Sequence, residues 1–175
     1  MEEYYRMFAV VFQDFQLFAL PLGENVAASV QYDEEEVLRR LGQAGLSDWV
    51  KQLPKGVKQP LYTVEKDGVN VSGGEAQKIA IARALYKDAP FVVLDEPAAA
   101  LDPIAEAEVY AGFRGMVEGK GALYISHRLS SCRFCDRIAV FEGGRLVQEG
   151  SHEELLAQED GPYACLWQAQ AQWYR

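Results

Sequence analysis

Asp95 and Glu96 form a carboxylate pair that closes the apolar run "FVVL" at 91–94. Adjacent carboxylates at the end of a buried strand offer hard oxygen ligands to a cation such as Mg²⁺, and a base for a water molecule. Two further apolar runs end in polar groups, with Gln13 following "AVVF" and His127 following "LYIS". In an open α/β sheet, ligands bind at the carboxyl ends of the strands. If these runs are parallel strands, Gln13, Asp95, Glu96 and His127 converge on one edge. Any single position also reads as a capping acid or a solvated imidazole; three strand ends together point to a site.

A second feature is "VSGGEAQ" at 71–77. Ser72 and Glu75 have the S-x-x-E spacing of a capping box, which needs no ligand. Gly73 and Gly74, however, strip side chains from the first helical turn, where free N–H groups and the helix dipole attract anions. A glycine pair costs a helix stability unless something approaches its backbone closely. The combination points to phosphate.

The elements that must position these groups read as a parallel α/β sheet. Strands are expected at 8–12, 91–94, 122–125, 138–141 and 145–148, the last two joined by a tight hairpin at Gly143-Gly144. The charged N-terminus "MEEYYRMF" runs directly into the first strand. Residues 24–88 hold no convincing strand and are expected to form a helical subdomain. Its own small core would contain Val37, Leu38, Leu41, Leu46, Trp49 and Val50. Asp33 with Glu36 starts a helix that Gly45 ends. The turn-rich stretch 54–70 is a long loop, and Ser72 to Tyr86 a helix with Ile79, Ala82 and Tyr86 on one side. Asp102-Pro103 starts the next helix, and the tail gives two short ones.

Composition narrows the function classes. Apolar residues make up 49% and charged residues 25%, an ordinary globular balance, and 175 residues suit one domain. The formal charge of -9, with no block of Lys or Arg, gives no nucleic-acid footprint. No apolar run approaches the ~18–20 residues that span a bilayer, so membrane association would go through a partner. Cys132 and Cys135 form a C-x-x-C with no second pair to complete a four-ligand zinc site. They read as small residues on one helical turn.

In order and spacing, these motifs resemble the nucleotide-binding domain of an ABC transporter over essentially the whole chain. "VSGGE" is similar to the signature motif, "FVVLDEP" to the Walker B strand, "AALD" to the D-loop, "VFQDFQLF" to the Q-loop and "ISH" to the switch-histidine loop. "LFALPLGENV" and "LWQAQ" are more similar to exporters. The departures are Glu65 and Lys66 in the loop before the signature, Glu75 for the more usual Gln, and Ala98 where Thr or Ser is common.

The resemblance implies a P-loop NTPase-like (RecA-like) α/β fold with a mostly parallel sheet. The helical subdomain, about 24–88, is inserted into a core made of 1–23 and 89–175. ATP and Mg²⁺ are the implied cofactors. By position, Asp95 and Gln13 would face Mg²⁺, Glu96 would polarise the attacking water, and His127 would contact the γ-phosphate. Ser72, Gly73, Gly74 and Glu75 would meet nucleotide held by a second nucleotide-binding domain in a head-to-tail dimer, and Asp102 would serve communication across it. Transmembrane domains are the other implied partner, placing the chain peripherally at the cytoplasmic face of the cell membrane.

The family's phosphate loop, G-x-x-x-x-G-K-[ST], should precede Gln13, but "MEEYYRMFAVVF" contains no glycine. "RGMVEGKGA" at 114–122 is the nearest match, with Arg114 and Gly121 at key positions, and reads as a surface turn. The chain is therefore expected to be the last two-thirds of such a domain, without its Walker A strand and antiparallel β-subdomain, and inactive alone. The missing strand would lie between the one before His127 and the one at 138–141. These two are expected to pair with each other or with a second copy. The other readings are a non-catalytic interaction module that keeps the signature face, and an ATPase of the DNA-repair or translation type. The latter would want a coiled coil or basic arm, and neither is present.

Overall fold

Alternating apolar runs form two sets of strands in the computed structural model, which describes residues 2–62, 67–97, 117 and 119–173. Strands β1 (Phe8–Val11), β2 (Phe91–Asp95) and β3 (Gly121–Ile125) make a parallel sheet in the order β1-β2-β3. Strands β4 (Ile138–Glu142) and β5 (Arg145–Gly150) make an antiparallel ribbon. Its turn places Gly143 at φ 56° and Gly144 at φ 75°, both left-handed, as a two-residue hairpin requires. β4 takes β5 as its partner over its whole length, and β3 pairs with β2 over its own. Two compact units result, residues 1–125 and 126–175.

In the first unit, register fixes which sheet face is buried. Val11 opposite Leu94, and Ala9 opposite Val92, are at most 2% exposed and pack into the main core. The alternate positions Val10, Phe91, Leu123 and Ile125 share the other face and are exposed. The segment between β1 and β2 is helical, as expected: α2 (Leu22–Ala27), α3 (Glu34–Gln43), α4 (Ser47–Gln52), a 3₁₀ turn (Gly56–Lys58) and α5 (Gly73–Tyr86). Asp33 caps α3 by accepting from the N–H groups of Glu35 and Glu36, and Gly45 leaves it at φ 75°.

Three expectations need correcting. The N-terminus does not enter β1 directly, because Glu2–Arg6 form a short helix, α1. Leu38 is exposed, although Val37, Leu41, Leu46 and Val50 are buried and Trp49 is partly so. Nor do the helices have a core of their own. Ile79, Ile81 and Leu85 of α5 join Val37 and Leu41 of α3 and the buried sheet face in one continuous cluster. A helix facing both a sheet and two other helices must be apolar on most of its surface, which explains the run "IAIARAL".

The second unit packs Leu129, Ile138, Leu155 and Tyr163 as its core, with Cys132 and Cys135 against it. Its helices are a 3₁₀ segment (Leu129–Phe134), α6 (His152–Leu156) and α7 (Pro162–Trp173), the last two matching the expected tail. Burial pushes the Tyr163 hydroxyl up to about 12, and it hydrogen-bonds His152 Nδ1 at 2.8 Å. Among the described residues, no helix is long and apolar enough to cross a membrane.

Candidate functional site

The carboxyl edge of the parallel sheet carries three of the expected groups. Val11 of β1 is in register with Leu94 of β2, so Gln13 and the Asp95-Glu96 pair leave neighbouring strands at the same edge. Gln13 is exposed, and Asp95 and Glu96 are half-buried. Glu96 is held in the left-handed region at φ 46°, uncommon for a residue with a side chain. Both sides of its backbone are bonded: its N–H donates to the Ile125 carbonyl at 2.9 Å, and its carbonyl accepts from Gln77 Nε2 at 3.3 Å.

α5 presents the second part of the site. Ser72 and Glu75 close the capping box: Ser72 N–H donates to Glu75 Oε2 at 2.8 Å, and Glu75 N–H to Ser72 Oγ at 3.3 Å. Helix geometry gives the N–H groups of Gly73 and Gly74 no intrahelical acceptor. Two adjacent donors at the positive end of a fourteen-residue helix, beside an exposed serine hydroxyl, suit an anion. The capping role and the anion-binding role are thus divided between different atoms of the same four residues. Glu75 brings a negative charge to this end, which favours the helix but opposes a phosphate.

His127 belongs to the second unit and is exposed. Gln170 of α7 holds its loop from both sides, donating to the His127 carbonyl at 2.6 Å and accepting from the Leu129 N–H at 2.9 Å. Asp102 lies outside the described residues, as do Glu65, Lys66 and Ala98.

The donor set fits Mg²⁺ held jointly with phosphate. Among the described residues no three His, Cys, Asp or Glu side chains gather as a metal cage. Mg²⁺ usually takes one or two protein oxygens and fills its shell with water and phosphate, and the Asp95 carboxylate and Gln13 amide oxygen are ligands of that kind. The lysine of "EGKG" is engaged by a carboxylate. Gly119 turns at φ 76°, and Lys120 Nζ is paired with Asp88 at 2.6 Å, which supports the surface-turn reading.

Two interactions were not legible. Gln77 is 2% exposed and lies on the same helical stripe as Ala80, Ile81 and Ala84; a polar residue on a buried stripe is the signal that could have found it. Arg83 donates to the carbonyls of Asn25 and Gln16 at 2.7 and 3.0 Å and to Asn25 Oδ1 at 3.3 Å, with its guanidinium 5.8 Å from the Phe18 ring centre. It ties the segment after Gln13 to α5, across a sequence separation that no local pattern reveals.

Comparison with known proteins gives a consistent picture. Residues 1–99 match the family described as ABC transporter. The chain is 45% identical over 164 residues to an ATP-dependent lipid A-core flippase of Paraburkholderia xenovorans (strain LB400), covering 94% of this chain and 27% of the relative. It is 41% identical over 174 residues to the protein of that name from Cupriavidus pinatubonensis (strain JMP 134 / LMG 1197), covering 97% and 29%. Among solved structures it is similar to a bacterial Atm1-family ABC exporter with ATP bound, with a TM-score of 0.87 and 34% identity over 97% of this chain and 30% of the other. The chain thus spans less than a third of the length of these relatives.

Proposed function

Because the chain belongs to the ABC transporter family, we propose that it forms part of the ATP-binding domain of an exporter and couples ATP hydrolysis to movement of a substrate. The observation that carries this reading is the joint placement of Asp95, Glu96 and Gln13 at one sheet edge, on a core shared with the helix that offers the Gly73 and Gly74 N–H groups.

In this reading Asp95 would hold Mg²⁺ and Gln13 would add an amide oxygen. The ion, when bound, neutralises charge on the phosphate oxygens. Glu96 accepts a proton from the attacking water, and its fixed backbone aims the carboxylate. His127 hydrogen-bonds the γ-phosphate from its Gln170-clamped loop. Ser72, Gly73 and Gly74 address the γ-phosphate of ATP held by a second nucleotide-binding domain, head to tail, with Glu75 fixing the turn. Asp102 relays between the two domains. Transmembrane domains complete the assembly and place the chain at the cytoplasmic face of the membrane.

The test is ATP turnover by the full-length protein that carries these residues. Glu96→Gln removes the proton acceptor and keeps the shape, so turnover should fall about 10²- to 10⁴-fold while ATP still binds. Turnover unchanged by Glu96→Gln would remove Glu96 from the mechanism. The rival reading, an interaction module without catalysis, predicts no effect of this substitution on turnover.

A further inference from the structure

Glu96 has a backbone that does not hold itself. At φ 46° a glutamate pays for the close approach of its Cβ to the backbone, and such conformations persist only where the surroundings over-determine them. One restraint is the sheet: the Glu96 N–H continues the β2–β3 ladder by donating to the Ile125 carbonyl at 2.9 Å. A second comes from outside the sheet. Gln77 reaches from α5 and donates its Nε2–H to the Glu96 carbonyl at 3.3 Å.

Gln77 is 2% exposed, among Ala76, Ala80 and Ile81, which are themselves buried. A buried amide in apolar surroundings costs stability unless its hydrogen bonds are made. This one directs a donor to Glu96, whose φ is left-handed. Gln77 also lies on the second turn of the helix that begins at Gly73. One rigid element therefore carries both the anion-accepting N–H groups and the amide that pins Glu96.

We propose that Gln77 is a positioning residue for Glu96: it fixes the left-handed backbone that aims the carboxylate, and it links that carboxylate to the N-terminus of α5. The proposal rests on the reading of Glu96 as the group that polarises the attacking water. The effect of Gln77 on the reaction is exerted through Glu96, whose carbonyl it holds.

The test is amide hydrogen exchange of the 175-residue chain by NMR, with Gln77→Met, Glu96→Gly and the double variant. Methionine keeps the length and helix compatibility of Gln77 and removes the donor. The Glu96 N–H should exchange about tenfold faster in Gln77→Met, the size of one lost hydrogen bond, with Val92 and Leu94 changed less than about twofold. Glycine at 96 carries no Cβ strain, so in the Glu96→Gly background the same substitution should have less than about a third of that effect. Unchanged exchange at Glu96, or an equal effect in both backgrounds, overturns the proposal and leaves Gln77 a packing residue. If Gln77→Met does not fold, Gln77→Asn, one methylene too short to reach, takes its place with the same two outcomes. In the full-length protein, Gln77→Met should lower kcat and leave KM for ATP within about twofold, because only a group acting in the transition state is displaced. The exchange result does not depend on ATP. If Glu96→Gln leaves turnover intact, the reading of Glu96 fails while the restraint by Gln77 can still be measured.

Discussion

Glu36 is one carboxylate whose pairing contributes to the acid limb of stability. It accepts from Arg39 Nη2 and from Arg40 Nε at 2.7 and 2.6 Å, and Arg40 and Lys120 both pair with Asp88 beyond it. The hydrogen bond from Arg39, joined by that from Arg40 and opposed by burial, lowers the Glu36 carboxyl from 4.5 to about 2. A group with a depressed folded-state value contributes stability that is fully present above its unfolded value and lost as pH falls through the folded one. Glu36→Gln should therefore lower the urea midpoint at neutral pH and flatten its fall between about pH 4.5 and about 2. A variant that keeps the wild-type slope in that window would show the pairs to be inconsequential. Glu36 was legible as a capping residue of α3, and its i,i+3 and i,i+4 spacing to Arg39 and Arg40 is a local pattern, but the link through Arg40 to Asp88 depends on where α5 ends. That is tertiary information.

At the scale of elements, α5 organises the first unit. Its cap was readable because Ser72 and Glu75 satisfy a local rule; its burial was read on one side only, at Ile79, Ala82 and Tyr86, whereas Ala80, Ile81, Ala84 and Leu85 are buried as well. Its reach to other segments was not readable, since Arg83 to Gln16 and Gln77 to Glu96 are long-range bonds between a side chain and a backbone carbonyl. The exposed Leu38 is a related failure: on a short amphipathic helix one residue of phase separates buried from exposed, and periodicity does not resolve it. Arg83→Lys tests the reach of α5. Lysine keeps the charge but cannot make the forked contacts to Asn25 and Gln16, each hydrogen bond to a charged group contributing about 1.5–3 kcal/mol. The segment 16–25 should loosen, seen as faster exchange at the Phe18 N–H, which donates to Asn25 Oδ1 at 2.9 Å. Protection within α5 itself should persist. Equal loosening of both, or of neither, would argue against a local clasp.

At the scale of the molecule, the strand pattern and hairpin were legible because each is a local apolar run with turn chemistry at its ends. The division into a three-stranded sheet and a separate ribbon was not, since partner choice is set by long-range packing. The same scale decides what residues 1–175 can do by themselves. They carry Asp95, Glu96 and the α5 N-terminus, and they contain no G-x-x-x-x-G-K-[ST] sequence. Such a loop supplies backbone N–H donors and a lysine to the phosphates, each charge-assisted bond contributing roughly 1.5–3 kcal/mol. Without about four of them, affinity falls on the order of 10⁴-fold, and a micromolar site becomes weaker than millimolar ATP can fill. The same donors are lost to the transition state. In the proposed reading these residues hold the carboxylates and the anion-accepting helix of an ATP-hydrolysing site whose phosphate cradle comes from other residues. Mg²⁺-dependent ATP turnover by the purified 175-residue chain, beside its Glu96→Gln variant, tests it most directly. Neither chain should turn over ATP above background, and the two should not differ; turnover near ~1 s⁻¹, a low value for an enzyme, abolished by Glu96→Gln, would show that the 175 residues form a complete site.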